Sequence, residues 1–286
     1  MELPAHVTHF SQQYSIVDVN PYLELQSTVA PETSNVYNMA MIVPCYNEEK
    51  RIDLDYWANI VNATKDVNWI FVDDGSTDTT SNLLSKISNR VEVKRLQNNF
   101  GKAEALRWGF RDAMLQGAEV IGFIDADGSF DRNEVVELCR RFQQKEHWED
   151  HNKTYMAVFM SRSHLLNAAS PSVGAVRRKF GKIISKINSL IWSELPNDTQ
   201  CGFKFFKSDS KLSVSMSTAF SNSWFFEIEL LIRIRSLQDT PLIIKEVPLS
   251  SIRHVKGSHT GKGNLFNSLK QILNTFIMLI SFRLSS

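Results

Sequence analysis

Residues 120–130 read VIGFIDADGSF, an apolar run that ends in two aspartates, Asp125 and Asp127. Three earlier runs have the same character, with segments of helical spacing between them: MAMIVPCY (39–46), WIFVDDGS (69–76) and VEVKRL (91–96). Strands that alternate with helices predict βαβ units and a mostly parallel sheet. Ligands of such sheets bind beyond the carboxyl ends of the strands, which is where the acidic residues of these runs fall.

The composition is that of a globular chain. Of 286 residues, 43% are apolar and 22% are charged, which excludes disordered, collagen-like and disulfide-stapled classes. After residue 150, the apolar runs TYMAVFMSR, CGFKFF and LIIKEVPL continue the sheet. We therefore predict an α/β fold with one compact, two-part domain over residues 39–263, divided into residues 39–150 and 151–263. Residues 1–38 are predicted to be an N-terminal extension and residues 264–286 a C-terminal amphipathic helix.

Charge is unevenly distributed along the chain. Residues 1–39 carry a net charge of −4, residues 40–150 one of −6 and residues 151–286 one of +11, which together give the overall +1. A basic second half indicates an anionic partner such as phosphate, acidic lipid or nucleic acid, with ordinary solvated charge as the alternative. A nucleic-acid site would interleave aromatic residues with the charges, and near the basic cluster at 177–186 only Phe180 and Trp192 are present. We therefore expect no nucleic-acid partner.

The sequence predicts a cytoplasmic location. Its three cysteines are far apart and form no Cys-x-x-Cys pair, which argues against a disulfide framework and a zinc site. The N-terminus shows no basic patch followed by an apolar core, so we expect no secretory signal. Near the C-terminus, only 12 residues separate Lys270 from Arg283, fewer than the ~20 that a bilayer span needs. The apolar spacing there fits a helix in a membrane interface, or one docked on the domain or on a second subunit.

The aspartates at 125 and 127 are the strongest chemical signal. In extended backbone, residues two apart point to the same side, so both carboxylates would meet one hard cation, Mg2+ or Mn2+, that in turn binds a diphosphate. Gly128 would relieve backbone crowding there, and Asp131 is available to cap the next helix. Lys102 follows a glycine at a predicted helix start, where it either meets phosphate or is an ordinary surface lysine.

Two other strand ends carry polar residues. Pro44 has no N–H, so we expect it to end the pairing of its strand, with Tyr46 and Glu48 at the mouth of the sheet. An aromatic ring and a carboxylate suit a nucleoside base and ribose, although a strand-end turn explains them equally well. Asp73 and Asp74 are adjacent carboxylates that repel each other unless something binds them. Either a nucleotide does so, or one is a turn acid and the other is solvated.

A basic segment lies in the second half. Arg177, Arg178 and three lysines up to residue 186 precede or interleave with isoleucines and a leucine. This pattern predicts a basic amphipathic helix on an anionic membrane surface, or a core-facing helix with a solvated basic side.

Seven segments occur in an order that resembles inverting glycosyltransferases of family 2 with the GT-A (Rossmann-like) fold: VPCYNEE, VDDGSTDTT, NNFGKAEAL, DADG, MSRSHL, DTQCGFKFF and WFFEIELL. More narrowly, they resemble the enzymes that make dolichyl-phosphate glucose and dolichyl-phosphate mannose, with DTQCGFK closer to the glucosyl enzymes. The similarity covers roughly residues 39–263. Ser129 stands where the mannosyl enzymes have a glutamine, and we expect the membrane anchor of the glucosyl enzymes to be absent.

The resemblance implies roles for individual residues. It makes residues 39–150 the nucleotide-sugar half and residues 151–263 the acceptor half. Donor binding would involve Pro44, Tyr46, Glu48, Asp73, Asp74, Lys102 and Asp125, and the metal ligands would be Asp125 and Asp127. Asp127, Arg162 and Asp198 would face the reaction centre, Arg177 and Arg178 would meet the acceptor phosphate, and His254, Lys256 and Ser258 would form a mobile loop.

The expected activity is inverting transfer of a hexose, glucose by preference, to a polyprenyl phosphate such as a dolichyl or undecaprenyl phosphate. The donor would be UDP-glucose, with GDP-mannose as the alternative, and the protein would be cytoplasmic or peripheral on the cytoplasmic membrane face. A phosphate acceptor is largely ionised at neutral pH, so Asp198 would position it; with a hydroxyl acceptor Asp198 would be the candidate base. Two other functions stay open: a soluble family 2 enzyme that acts on a saccharide or protein hydroxyl, and a non-catalytic nucleotide-sugar sensor.

Overall fold

The computed structural model describes residues 36–150, 153–167, 195–221, 223, 226–238 and 240–253. Within these ranges the strands are β1 Met39–Cys45, β2 Val67–Asp73, β3 Val91–Arg95, β4 Val120–Ile124, β5 Glu149–Asp150, β6 Lys153–Thr154, β7 Ala157–Ser161, β8 Phe203–Lys207 and β9 Ile244–Pro248. Seven of them form one sheet in the order β3-β2-β1-β4-β8-β7-β9, and β5 pairs with β6 in a separate hairpin.

Six strands of the large sheet run in the same direction and β8 runs opposite to them, because its pairings with β4 and with β7 are both antiparallel. The predicted mostly parallel sheet is therefore confirmed, as is its continuation past residue 150 into a single domain. Strands β1, β2 and β4 are buried along almost their whole length, which explains their near-continuous apolar sequences.

Helices cover both faces of the sheet. In chain order they are α1 Leu54–Ala63, α2 Thr80–Leu84, α3 Lys102–Leu115, α4 Arg132–Gln143, α5 Ser163–Asn167, α6 Ser210–Ser215 and α7 Phe226–Ser236. One face of the sheet packs against α1 and α4 around Trp57 and Phe142. The other packs against α3 and α7 around Phe110 and Phe123. In the described part of the chain, no helix combines the length and apolar character needed to cross a membrane.

Pro44 does not end the pairing of β1, which is a correction to the sequence prediction. β1 pairs with β2 through Pro44 and on to Cys45, although its pairing with β4 stops at Ile42. The carbonyl of Cys45 accepts from Asp74 N at 2.8 Å, so the backbone polar groups of Cys45 point toward β2. The backbone nitrogen of the preceding residue, Pro44, therefore points toward β4. The missing N–H therefore points to a side where the ladder has already ended, and it costs no hydrogen bond.

Two predicted segments lie largely or wholly outside the described residues: the N-terminal extension 1–38 and the C-terminal helix 264–286. The boundaries of the domain and of its two halves stay predictions. All three cysteines are buried free thiols, in agreement with the expected lack of a disulfide framework.

Candidate active site

Asp125 and Asp127 lie in a turn at the carboxyl edge of the sheet. Strand β4 ends at Ile124, and the chain turns at residues 126 and 127 before α4. Strand alternation is therefore the wrong reason for expecting the two carboxylates together. Both are half-buried, and both contribute to the electrostatic environment of Glu48 and Lys102, so the turn still places their charges near the same groups.

The backbone of this turn is held from both sides. Trp57 Nε1 donates to the carbonyl of Ala126 at 3.1 Å, and Arg253 N donates to the carbonyl of Ser129 at 2.7 Å. Gly128 has φ 66°, in the left-handed region that glycine adopts readily. Asp127 Oδ1 accepts from Ser129 N at 3.0 Å. The predicted cap at Asp131 is also present, since its side chain accepts from two backbone N–H groups of α4.

Gly202 allows the carboxylate of Asp125 to sit where it does. Asp125 N donates to the carbonyl of Gly202 at 2.9 Å. A Cβ on Gly202 would lie 1.9 Å from Asp125 Oδ2 and 2.2 Å from its Cγ. Only glycine fits at this position with the carboxylate in place. Sequence reasoning missed Gly202, although a glycine next to DTQC at the start of an apolar strand signals a close approach.

Lys102 forms an ion pair with Asp125, with Nζ 2.6 Å from Oδ1. The ammonium also lies 5.4 Å from the centre of the Phe123 ring. Partial burial lowers the pKa of Lys102, but the charges of Asp125 and Glu227 outweigh it, so the pKa lies above its ordinary value. Lys102 is thus a cation held at the acidic turn, and the surface-lysine alternative does not describe it.

Asp73 and Asp74 have partners within the protein. Asp74 accepts from Phe100 N at 2.9 Å and Gly101 N at 2.7 Å, which fixes the loop that leads into α3 and Lys102. Burial raises the pKa of Asp74 although those two hydrogen bonds oppose the rise. Asp73 is fully buried and accepts from Ser76 N at 2.9 Å. The alternative of one turn acid and one solvated acid does not describe the pair, because both acids are buried and both stabilise turns. Contact with a nucleoside stays a prediction.

Tyr46 and Glu48 differ in accessibility. Tyr46 is 37% exposed, which leaves its ring available, whereas Glu48 is 6% exposed and pairs with Arg51. Glu48 N also donates to Thr80 Oγ1 at 2.7 Å. Burial raises the pKa of Glu48 from 4.5 to about 6; Arg51 opposes the rise, and the charges of two acids in the β4 turn add to it.

Arg162 and Asp198 form a forked ion pair near the neighbouring strand ends. Arg162 Nε and Nη2 donate to Asp198 Oδ2 and Oδ1, each at 2.9 Å. Oδ2 also accepts from Arg162 N at 2.9 Å, and Oδ1 accepts from Gln200 N at 3.2 Å. Burial favours the neutral acid, but the hydrogen bonds and charge of Arg162 outweigh burial and lower the pKa of Asp198. Asp198 is therefore a carboxylate whose two oxygens each accept two hydrogen bonds.

A second buried ion pair lies beneath the acidic turn and was missed from the sequence. Lys204 on β8 is fully buried, and its Nζ lies 3.4 Å from Glu227 Oε1 on α7. The ammonium also faces the rings of Phe123 and Phe159 at 5.0 and 4.9 Å. The signal was present in CGFKFF, where a lysine interrupts an otherwise apolar strand.

The donor groups suit a divalent cation that is shared with a ligand. The described residues contain no cluster of three or more His, Cys, Asp or Glu side chains that could hold a metal alone. Mg2+ is commonly bound through one or two carboxylates together with substrate phosphates. Asp125 and Asp127 are two such carboxylates, and Asp125 already pairs with the ammonium of Lys102. The predicted acceptor and loop residues, Arg177, Arg178, His254, Lys256 and Ser258, lie outside the described residues.

The family match and the curated relatives of this chain all point to the same class of protein, the glycosyltransferases. Residues 40–148 match the family described as Glycosyl transferase family 2. A dolichyl-phosphate beta-glucosyltransferase of Trichomonas vaginalis is 30% identical over 227 residues, which cover 76% of this chain and 64% of the relative. The enzyme of the same name from Drosophila melanogaster is 32% identical over 230 residues, which cover 72% of this chain and 65% of the relative. The chain thus spans slightly less than two thirds of the length of these relatives.

A similar solved structure is that of glucosyl-3-phosphoglycerate synthase from Mycobacterium tuberculosis in complex with Mn2+, UDP and glucosyl-3-phosphoglycerate. Its TM-score is 0.56 at 17% identity, and the match covers 86% of this chain and 80% of that one. This likeness shows that the two proteins share a fold, the GT-A fold that the ordered motifs predict. The match of residues 40–148 to glycosyltransferase family 2 confirms the resemblance drawn from the ordered motifs.

Proposed function

We propose that this chain transfers glucose from UDP-glucose to a polyprenyl phosphate, with inversion at the anomeric carbon and with Mg2+ or Mn2+ as cofactor. The curated relatives support the sugar and the acceptor class, because they are named dolichyl-phosphate beta-glucosyltransferases. The solved neighbour, which binds Mn2+ and UDP, supports the donor and the metal.

The acidic turn would hold the leaving group. Asp125 and Asp127 would bind the metal, which when present stabilises negative charge on the departing diphosphate. Lys102, already 2.6 Å from Asp125, would add a second positive charge beside the phosphates. The exposed ring of Tyr46 would pack against the base, and the acceptor oxygen would attack from the opposite face of the sugar.

The ionisation and hydrogen bonding of Asp198 are the observation that favours one class of acceptor over the other. A general base needs a free lone pair and a pKa near the working pH. Asp198 has neither, since Arg162 lowers its pKa and four hydrogen bonds occupy its oxygens. A phosphate monoester needs no base, because its second pKa is about 6 and it is mostly ionised at neutral pH. This arrangement therefore favours a phosphate acceptor over a hydroxyl.

The acceptor would be met at the cytoplasmic face of a membrane. The net charge of +11 over residues 151–286 supports this placement, because basic segments are attracted to the anionic cytoplasmic leaflet. Arg177 and Arg178 belong to that basic half, and contact with the acceptor phosphate is proposed for them.

The full chain, incubated with radiolabelled UDP-glucose, Mn2+ and a short-chain polyprenyl phosphate, should produce an organic-extractable labelled sugar. Asp127→Asn should abolish transfer, whereas Asp131→Asn should retain it because asparagine is an equally good helix cap. Label found only in water-soluble product would favour a hydroxyl acceptor. Binding of UDP-glucose without any transfer would favour a sensor.

A further inference from the structure

The contact between Lys102 and Asp125 places a cation on one of the two carboxylates proposed to bind the metal. Nζ of Lys102 is 2.6 Å from Asp125 Oδ1, and both side chains are 37% exposed. The pair is therefore open to ions and ligands that arrive from solvent. By contrast, the pair of Lys204 and Glu227 beneath it is buried.

The protein positions both members of this pair. Asp74 binds the backbone N–H groups of Phe100 and Gly101, so it fixes the start of the helix that carries Lys102. Gly101 has φ 95°, a conformation that favours glycine at the entry to that helix. On the opposite side, the lack of a side chain at Gly202 makes room for the Asp125 carboxylate.

An ammonium and a divalent cation compete for the same carboxylate. Two positive charges within about 4 Å repel each other strongly at a partly buried site. A metal that approaches Asp125 must therefore displace Lys102 or bind weakly. A diphosphate changes this balance because its oxygens offer the lysine another anionic partner beside the metal.

We propose that Lys102 couples metal binding to donor binding: its ammonium occupies Asp125 until a nucleoside diphosphate attracts it away and frees the carboxylate for the metal. This inference rests on the proposed function, since it assumes the same donor site. Metal and nucleotide then enter together, and the acidic turn does not retain a metal ion without its substrate.

The test measures Mn2+ affinity of the full chain by electron paramagnetic resonance of the free ion, without UDP and with saturating UDP. Without UDP, Lys102→Met should bind Mn2+ roughly tenfold more tightly than the wild type, and the factor by which UDP tightens Mn2+ binding should shrink by a similar amount. The matched control is Lys94→Met, which removes a lysine paired with Glu92 at 2.6 Å and Asp112 at 3.3 Å. This control should match the wild type in both measurements.

Three results would overturn the proposal. If Lys102→Met and the wild type bind Mn2+ equally well without UDP, the ammonium does not compete. If Lys102→Met binds Mn2+ more tightly by the same factor with and without UDP, the lysine acts only through its charge at a distance. Provided that the wild type transfers sugar, either of these two results would reject this inference alone. A wild type that binds no Mn2+ even with UDP would reject the proposed metal-dependent function as well.

Discussion

Gly202→Ala is the sharpest test of how the acidic turn is built. The new Cβ would lie 1.9 Å from Asp125 Oδ2, where real Cβ contacts stay above 3.0 Å. The carboxylate must therefore move by about 1 Å or more, and a 1 Å displacement of a catalytic group can cost about 100-fold in rate. We expect kcat/KM for transfer to fall by about that factor, or about 2.7 kcal/mol in activation free energy.

The loss of stability should be small by comparison. Asp125 is half-exposed, so its side chain can turn toward solvent at a cost of about 1 kcal/mol, or roughly 2–4 °C in Tm. The matched control is Gly117→Ala. Gly117 has φ 79° and open space around its Cβ position, so alanine there strains only the backbone, at about 1 kcal/mol.

The two variants should therefore have similar melting temperatures and very different activities. Calorimetry gives the first quantity, and steady-state transfer gives the second. The rise in Tm caused by UDP with Mn2+ gives donor binding independently of turnover, since a ligand that binds only the native state stabilises it. Wild-type activity and wild-type UDP binding in Gly202→Ala would refute the role assigned to this close approach.

Three further variants test the charged groups around the site. Glu48 holds its proton more tightly in the folded protein, where its pKa is about 6, than its ordinary pKa of 4.5 implies. As the pH rises from roughly 4 to 7, the wild type should therefore lose about 2 kcal/mol of stability relative to Glu48→Gln. Urea denaturation measures this difference in stability, and a difference that stays constant across that pH range would contradict the prediction. Lys204→Met leaves Glu227 buried without its ion-pair partner, which should cost about 3–5 kcal/mol, or roughly 10 °C in Tm, and adding Glu227→Leu should restore most of the loss. A double variant as unstable as the single one, by calorimetry, would show that the pair is not the cause. Arg162→Lys keeps the positive charge but loses the two parallel hydrogen bonds to Asp198, so kcat/KM should fall about 100-fold. A near wild-type value of kcat/KM would show that these two hydrogen bonds are dispensable.

The sequence predicts where the strands lie better than how they are oriented. The runs VEVKRL and CGFKFF correspond to β3 and β8 within two residues. Nothing in CGFKFF indicates that β8 runs opposite to its neighbours, because the direction of a strand depends on how the chain returns to the sheet. Apolar periodicity reports burial, and burial is the same for either direction.

Long-range contacts account for what the site predictions did not foresee. Asp74 and its partners Phe100 and Gly101 are 26 and 27 residues apart, and no local pattern links them. The two carboxylates of DADG act on the same neighbouring groups, as the motif predicts, yet a turn brings them together instead of strand alternation. Residue types revealed the chemistry, whereas the geometry came from backbone contacts between distant segments.

The reversal of β8 brings the beginning of one strand to the edge where its neighbours end. Residues 198–202, which lead into β8, therefore meet the residues that follow β4 and β7. Since neighbouring strands are about 4.8 Å apart, the exits of β4 and β7 are separated by roughly 10 Å, with this short lead-in between them. These five residues contact Asp125 through the carbonyl of Gly202 and Arg162 through the carboxylate of Asp198, so an insertion there would displace the residues at both strand exits at once.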